Sequence, residues 1–115
     1  MVEAGVNNAV YQNYLEHARH EYLRTLGFDF AQLHNEGHDL VLTRCEIDYK
    51  NPLRSGDAFR IYLSLTRQGR VRFLFAQEIR KLPDETPVLA GNFIGTCLNQ
   101  NGRPGFPSKL QVLFE

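Results

Sequence analysis

The residues best placed to do chemistry gather near the N-terminus, in Gly5-Val6-Asn7-Asn8-Ala9-Val10-Tyr11. A helix starting here leaves the amides around Val6 to Val10 without intrahelical acceptors, and its dipole favours negative charge at that end. Such a start can hold an oxygen that becomes negative in a transition state. Asn7 and Asn8 also carry the side chains that cap a helix, and capping is the simpler account of them. Glu3 is the only carboxylate close to this start and so the only local group able to act as a base. A charged residue three positions from a terminus is, however, ordinarily a solvated tail.

Other candidates are scattered. His17 and His20 stand three apart on the same predicted helix, a spacing at which two imidazoles can share a metal ion, but no third ligand accompanies them and both fall on its polar side. No metal and no cofactor is expected. His34 and His38 flank Gly37 and read as cap or loop residues. Arg54, Arg67, Arg70 and Arg72 form a basic cluster suited to a phosphate-bearing ligand, although most arginines on sheet surfaces are merely solvated. Neither a Gly-x-Ser-x-Gly elbow nor a recognisable Cys/His pattern is present, which argues against a serine or cysteine nucleophile. Cys45 and Cys97 both sit in apolar strand-like segments, where a thiol is expected to be buried and inert; this usage fits a reducing cytoplasm.

These residues need elements to hold them. Between Val10 and Leu26, the residues Tyr11, Tyr14, Leu15, Ala18, Tyr22 and Leu26 recur every three or four positions and predict the buried stripe of a long helix, with Glu16, His17, His20 and Arg24 on the other side. Asn7 and Asn8 mark its start and Gly27 its end. Asp29 to Glu36 predicts a short second helix, capped by Asp29 and stopped at Gly37. From there the period becomes two. Val41, Thr43, Cys45, Ile47 and Tyr49, then Phe59, Ile61, Leu63 and Leu65, predict strands buried on one face. Val71, Phe73 and Phe75 towards Ile79, and the segment from Val88 to Leu98, predict two more. Gln68-Gly69-Arg70 and Pro83-Asp84-Glu85-Thr86 are links of hairpin size. The glycines and prolines between Asn101 and Pro107 end the regular structure before a short apolar tail.

A chain of 115 residues, 43% hydrophobic, suffices for one domain, 1–115, and not for two. Thirteen basic side chains balance thirteen acidic ones, so no overall field draws in nucleic acid or anionic lipid. The apolar runs are too short for a membrane span, and no secretory signal precedes the helix. A long amphipathic helix followed by four antiparallel strands predicts an α+β fold in which a bent sheet wraps the helix. Four strands leave exposed edges, so at least a dimer, a homodimer or homotetramer, is expected. A cystatin-like domain shares this order of elements, but its Gln-Val-Gly loop is lacking.

Gly5 to Tyr11, continuing through NYLEHARHEYLRTLG to Gly27, resembles the helix-start signature of hotdog thioesterases. Ile47-Asp48-Tyr49 followed by Pro52-Leu53-Arg54-Ser55-Gly56-Asp57 resembles that family's strand and turn, and Asn101-Gly102-Arg103-Pro104 with Pro107 its closing turn. VNNAVY, ARHEYL and PLRSGD are most similar to plastid and cyanobacterial acyl-acyl-carrier-protein thioesterases, with bacterial acyl-CoA thioesterases close behind. The resemblance implies a hotdog fold, a long central helix wrapped by a curved antiparallel sheet, and hydrolysis of acyl-CoA or acyl-carrier-protein thioesters to acid and thiol. It places Val6, Asn7 and Asn8 at the thioester oxygen, and Tyr11 and Arg19 at the acyl pocket or its rim. Core packing stands equally beside a site role for Tyr11, and a structural ion pair is preferred for Arg19. A carrier would bring a phosphate to the pocket mouth. Arg54, in the family turn, is the best candidate for it, with Arg72 facing away from the apolar side of its strand.

One part of the family pattern is missing. Members usually begin with a strand and an Asp-x-x-Gly turn just before the asparagines, and that Asp is their base or nucleophile. Counting back from Tyr11, it would fall at or just before Met1. The expectation is therefore either a start placed too far downstream or a chain without that carboxylate, leaving Glu3 as the local base. The alternative is a non-catalytic acyl-carrier-binding subunit of the same fold.

Overall fold

The computed structural model describes residues 8–114, and of Asn8 the backbone alone. Helix α1 (Asn8–Thr25) ends where Gly27 takes φ +89°, a conformation that costs a glycine little. The Gly27 and Phe28 amides turn back to the Arg24 and Leu23 carbonyls at 2.9 and 3.0 Å, closing the last turn. Helix α2 (Phe30–Asn35) starts at Asp29, whose carboxylate accepts the Gln32 amide at 3.1 Å, and it closes in the same way at Gly37. The Gly27 and Gly37 stops and the Asp29 cap are those the sequence predicts.

Strands β1 (Asp39–Tyr49), β2 (Phe59–Gln68), β3 (Arg72–Lys81) and β4 (Thr86–Leu98) form one antiparallel sheet in the order β1-β4-β3-β2. Two hairpins join β2 to β3 and β3 to β4. Because β1 pairs with β4, residues 50–58 must carry the chain from one sheet edge to the other, across three strand spacings or about 14 Å. Phe73, Phe75, Gln77 and Ile79 of β3, with Val88, Phe93 and Cys97 of β4, are buried in the layer between α1 and the sheet. Tyr14 of α1 lies 5.0 Å from the Phe59 ring of β2. The result is an α+β fold, a helix packed on a curved four-stranded sheet, as expected. A C-terminal 3₁₀ segment (Ser108–Phe114) buries Leu110 and Leu113. Arg67 fastens it, bonding Gln111 Oε1 at 2.8 Å with its guanidinium 5.4 Å from the centre of the Phe106 ring.

Three details depart from expectation. The buried line of α1 is Tyr11, Leu15, Arg19 and Leu23, whereas Leu26 is 40% exposed. Leu26 sits past the last helical turn, where the chain already bends towards Gly27, and Leu23 takes the inward place. Strand β1 does not alternate cleanly. A bulge between Leu42 and Arg44 inserts Thr43, so Leu40 and Leu42 before it share the helix side with Cys45, Ile47 and Tyr49 after it. Gly95 on β4 permits this close approach: a Cβ there would collide with the Val41 carbonyl and the Phe73 ring. Finally, Cys97 is buried but Cys45 is exposed. Strand β1 is a sheet edge, which leaves the Cys45 thiol open where no neighbouring strand flanks it.

Candidate active site

The crossing segment holds the start of α1. Tyr11 is almost fully buried, and its phenol oxygen accepts the Leu53 amide at 2.8 Å while its ring lies 5.9 Å from Tyr49. Leu53 is itself buried, so the segment is pinned over the helix start rather than draped across it. The next residue opens a tight turn. The Arg54 amide donates to Asp57 Oδ2 at 2.7 Å, the Asp57 amide returns to the Arg54 carbonyl at 3.0 Å, and Lys81 Nζ stands 3.6 Å from the same carboxylate. The structure thus brings Tyr11, the backbone of Asn8 and the exposed Arg54 to one end of the molecule. Glu3, Val6, Asn7 and the Asn8 side chain lie outside the described residues. Arg72 does not join this group. It pairs with Gln68, a full β2 length away, roughly 30 Å from Arg54, so no single phosphate reaches both within one chain.

Arg19 stands on the buried line of α1, 9% exposed. Its Nη1 donates to Gln77 Oε1 at 2.9 Å, Gln77 Nε2 donates to the Leu15 carbonyl at 3.0 Å, and the guanidinium lies 4.5 Å from the centre of the Phe93 ring. Among the described residues no carboxylate comes within ion-pairing distance of it. Among the described residues a neutral amide and an aromatic face stand where an ion pair is expected at Arg19, because Glu16, its nearest acid on the helix, lies within ion-pairing distance of His20, at 3.8 Å, and not of Arg19. Burial pushes the guanidinium below its ordinary pKa, and the proximity of Glu16 and Cys45 raises it again. Gln77 escaped the sequence reading. Its signal was there: an amide at an inward position of β3, between Phe75 and Ile79.

Between α1 and β1 runs an open seam. Tyr11 meets Tyr49 at one end, and Arg19 feels Cys45 further along. The eight helical residues from Tyr11 to Arg19 rise about 12 Å, and the four strand residues from Tyr49 to Cys45 about 13 Å, so the two elements keep pace. Apolar groups stay uncovered along it, with Leu42 41% and Tyr49 45% exposed. At the far end the seam meets a cavity of about 120 Å³ walled by Phe30, Leu42, Phe73 and Phe75, with Arg19 and Glu16 at its side. His20 stacks on Phe30 at 4.2 Å and is half-buried, rather than lying free on the polar side; His17 is exposed. A wider hollow of about 620 Å³, among Glu46, Tyr62, Ser64, Glu78 and Asn92, lies on the opposite face of the sheet, which separates it from α1.

Residues 3–114 match the thioesterase-like superfamily. The chain belongs to that family. It is 34% identical over 110 residues to a chloroplastic acyl-acyl carrier protein thioesterase of Arabidopsis thaliana, an alignment covering 95% of this chain and 58% of that protein. A second Arabidopsis thioesterase of the same description is 35% identical over the same shares, so the chain spans little more than half the length of these relatives. It is also similar to the solved structure of a hypothetical protein from Aquifex aeolicus, with TM-score 0.88 and 27% identity over all of this chain and 90% of that one. A 1,4-dihydroxy-2-naphthoyl-CoA thioesterase from Synechocystis shares the fold, with TM-score 0.89 at 17% identity over 96% of this chain and 82% of that one.

Proposed function

We propose that this chain hydrolyses acyl thioesters, with the acyl group in the seam between α1 and β1 and the thioester carbonyl at the start of α1. One observation carries the reading: the open apolar seam begins at Tyr11 and Tyr49, beside the start of α1, where a helix dipole favours negative charge. Water adds to the carbonyl carbon, the carbon–sulfur bond breaks, and the thiol leaves with a proton. The backbone amides of Val6, Asn7 and Asn8 are the groups assigned to hold the oxygen as it gains charge. Glu3 takes the proton of the attacking water. Tyr11 keeps the helix start and the crossing segment in register, and Arg54, in the turn beside it, meets the phosphate of the carrier.

The Arabidopsis relatives are described as acting on acyl-acyl carrier protein, which supports a carrier-bound acyl group, on carrier protein or coenzyme A, as the substrate. The exposed edge of β1, with Leu42, Cys45 and Tyr49 beside it, supports a homo-oligomer in which a second copy covers the seam. Free thiols, one of them exposed, support a cytoplasmic setting. Among the described residues no helix is long and apolar enough to cross a membrane.

Release of free thiol from a panel of acyl-CoA and acyl-carrier-protein thioesters tests the reading. Turnover that disappears in Glu3→Gln supports it. One observation favours a second reading: from Asn8 to Leu15, the first two turns of α1 offer no carboxylate or histidine. A non-catalytic subunit that binds an acyl carrier would bind the panel and release no thiol.

A further inference from the structure

We infer that Arg19 reads the far end of the acyl group, selecting chains that end in an oxygen acceptor and that are long enough to run the seam. The inference rests on the proposed placement of the thioester at the start of α1. A guanidinium taken out of water without a carboxylate is costly, and one amide and one ring face offset only part of that cost. Arginine carries five N–H donors, and among the described residues a single side-chain bond is made here, to Gln77. The side chain also lines the 120 Å³ cavity at the end of the seam. Arg19 therefore brings an undercompensated charge, with donors to spare, to the wall of a small hollow.

Distance makes the hollow a ruler. Arg19 lies eleven residues beyond Asn8, a rise of about 16 Å along the helix. A short acyl group held at the helix start ends within the seam; one of matching length delivers its last atoms to the cavity. A cavity of about 150 Å³ holds a benzene ring, so this one takes the last few heavy atoms of a chain. Phe30, Phe73, Phe75 and Leu42 would pack against the terminal carbons. A methyl end would leave the guanidinium as it is, whereas a terminal hydroxyl or carboxylate oxygen would accept from it. Glu16, on the same wall, disfavours a second negative charge, so the hydroxyl fits better than the carboxylate.

The test uses the full chain and coenzyme A thioesters of straight-chain acids, scanned in length in three matched series ending in methyl, hydroxyl or carboxylate. At the spanning length, the hydroxyl series should exceed the methyl series in kcat/KM by about 10- to 100-fold, with the carboxylate series between them. The preference should vanish at short lengths and in Arg19→Met. Leu42→Phe narrows the cavity from a half-exposed wall and should move the optimum to shorter chains, which keeps the inference testable should Arg19→Met fail to fold. Equal or better hydrolysis of the methyl series at every length, or a preference that survives in Arg19→Met, would overturn it. No thiol release from any series overturns the catalytic reading instead. The free acids are then compared by calorimetry: tighter binding of the hydroxyl-ended acid supports the inference, and equal binding overturns it.

Discussion

Replacing Gln77 with leucine removes the side chain that accepts a hydrogen bond from Arg19, while nearly conserving volume. In the native protein, the carboxamide accepts from Arg19 Nη1 and donates to the Leu15 carbonyl, with Gln77 1% and Arg19 9% exposed. Losing a hydrogen bond to a charged group costs about 1.5–3 kcal/mol. Leaving the charge buried with only the Phe93 face brings the total for Gln77→Leu to about 3–4 kcal/mol, near the range for breaking a buried pair. Arg19→Met instead removes the charge, orphans the neutral Gln77 oxygen and gives up the Phe93 contact, for about 2 kcal/mol. The double variant has neither orphan, so its loss should fall short of the sum of the singles by at least about 2 kcal/mol. Urea unfolding with linear extrapolation reads all four corners of the cycle. Losses that add to within about 0.5 kcal/mol would refute the account, since independent side chains behave that way.

Tyr11→Phe keeps the ring against Tyr49 but leaves the buried Leu53 amide without its acceptor, so urea unfolding should show a loss of about 1–3 kcal/mol. Tyr14→Phe should lose less than about 0.5 kcal/mol; equal losses would remove the Tyr11 strut. An alkylating agent at neutral pH should label Cys97 only after unfolding; mass spectrometry showing it labelled in the native protein would contradict the burial. Burial, with Asp39 adding to it, pushes the Cys97 pKa up, so the folded state holds this proton more tightly than the unfolded one. Its stabilising effect is complete below the unfolded thiol value of about 8.5 and should fall as pH rises above it. Cys97→Ala should flatten that alkaline decline of the urea midpoint. Gly95→Ala should cost at least about 1–3 kcal/mol, because the backbone carbonyl of Val41 cannot swing aside as a side chain would; a neutral substitution would mean the β1 bulge relaxes freely. Charge reversal at Arg54 should raise KM for phosphate-bearing thioesters more than it lowers kcat, and an unchanged KM would take Arg54 out of the site.

Much of the scaffold was legible along the chain because its causes are local. A stop at Gly27, a cap at Asp29 and the change from helical to alternating period at β1 each depend on residues a few positions apart. The resemblance around Gly5 to Gly27 and Pro52 to Asp57 likewise led to the correct family. Side-chain partners were another matter. Tyr11 meets Leu53 across 42 positions, Arg19 meets Gln77 across 58, and Gln77 meets Leu15 across 62. Periodicity says which way a residue faces and nothing about what waits there. The strand order β1-β4-β3-β2 decided that β1 would be an edge, and so that Cys45, Leu42 and Tyr49 would stay open to a partner or ligand. The ten-residue length of β2 sent Arg54 and Arg72 to its opposite ends, although both stand in one basic cluster by sequence. Capping and amphipathicity act within a turn or two, whereas burial of a charge depends on which distant segment the sheet brings beside it.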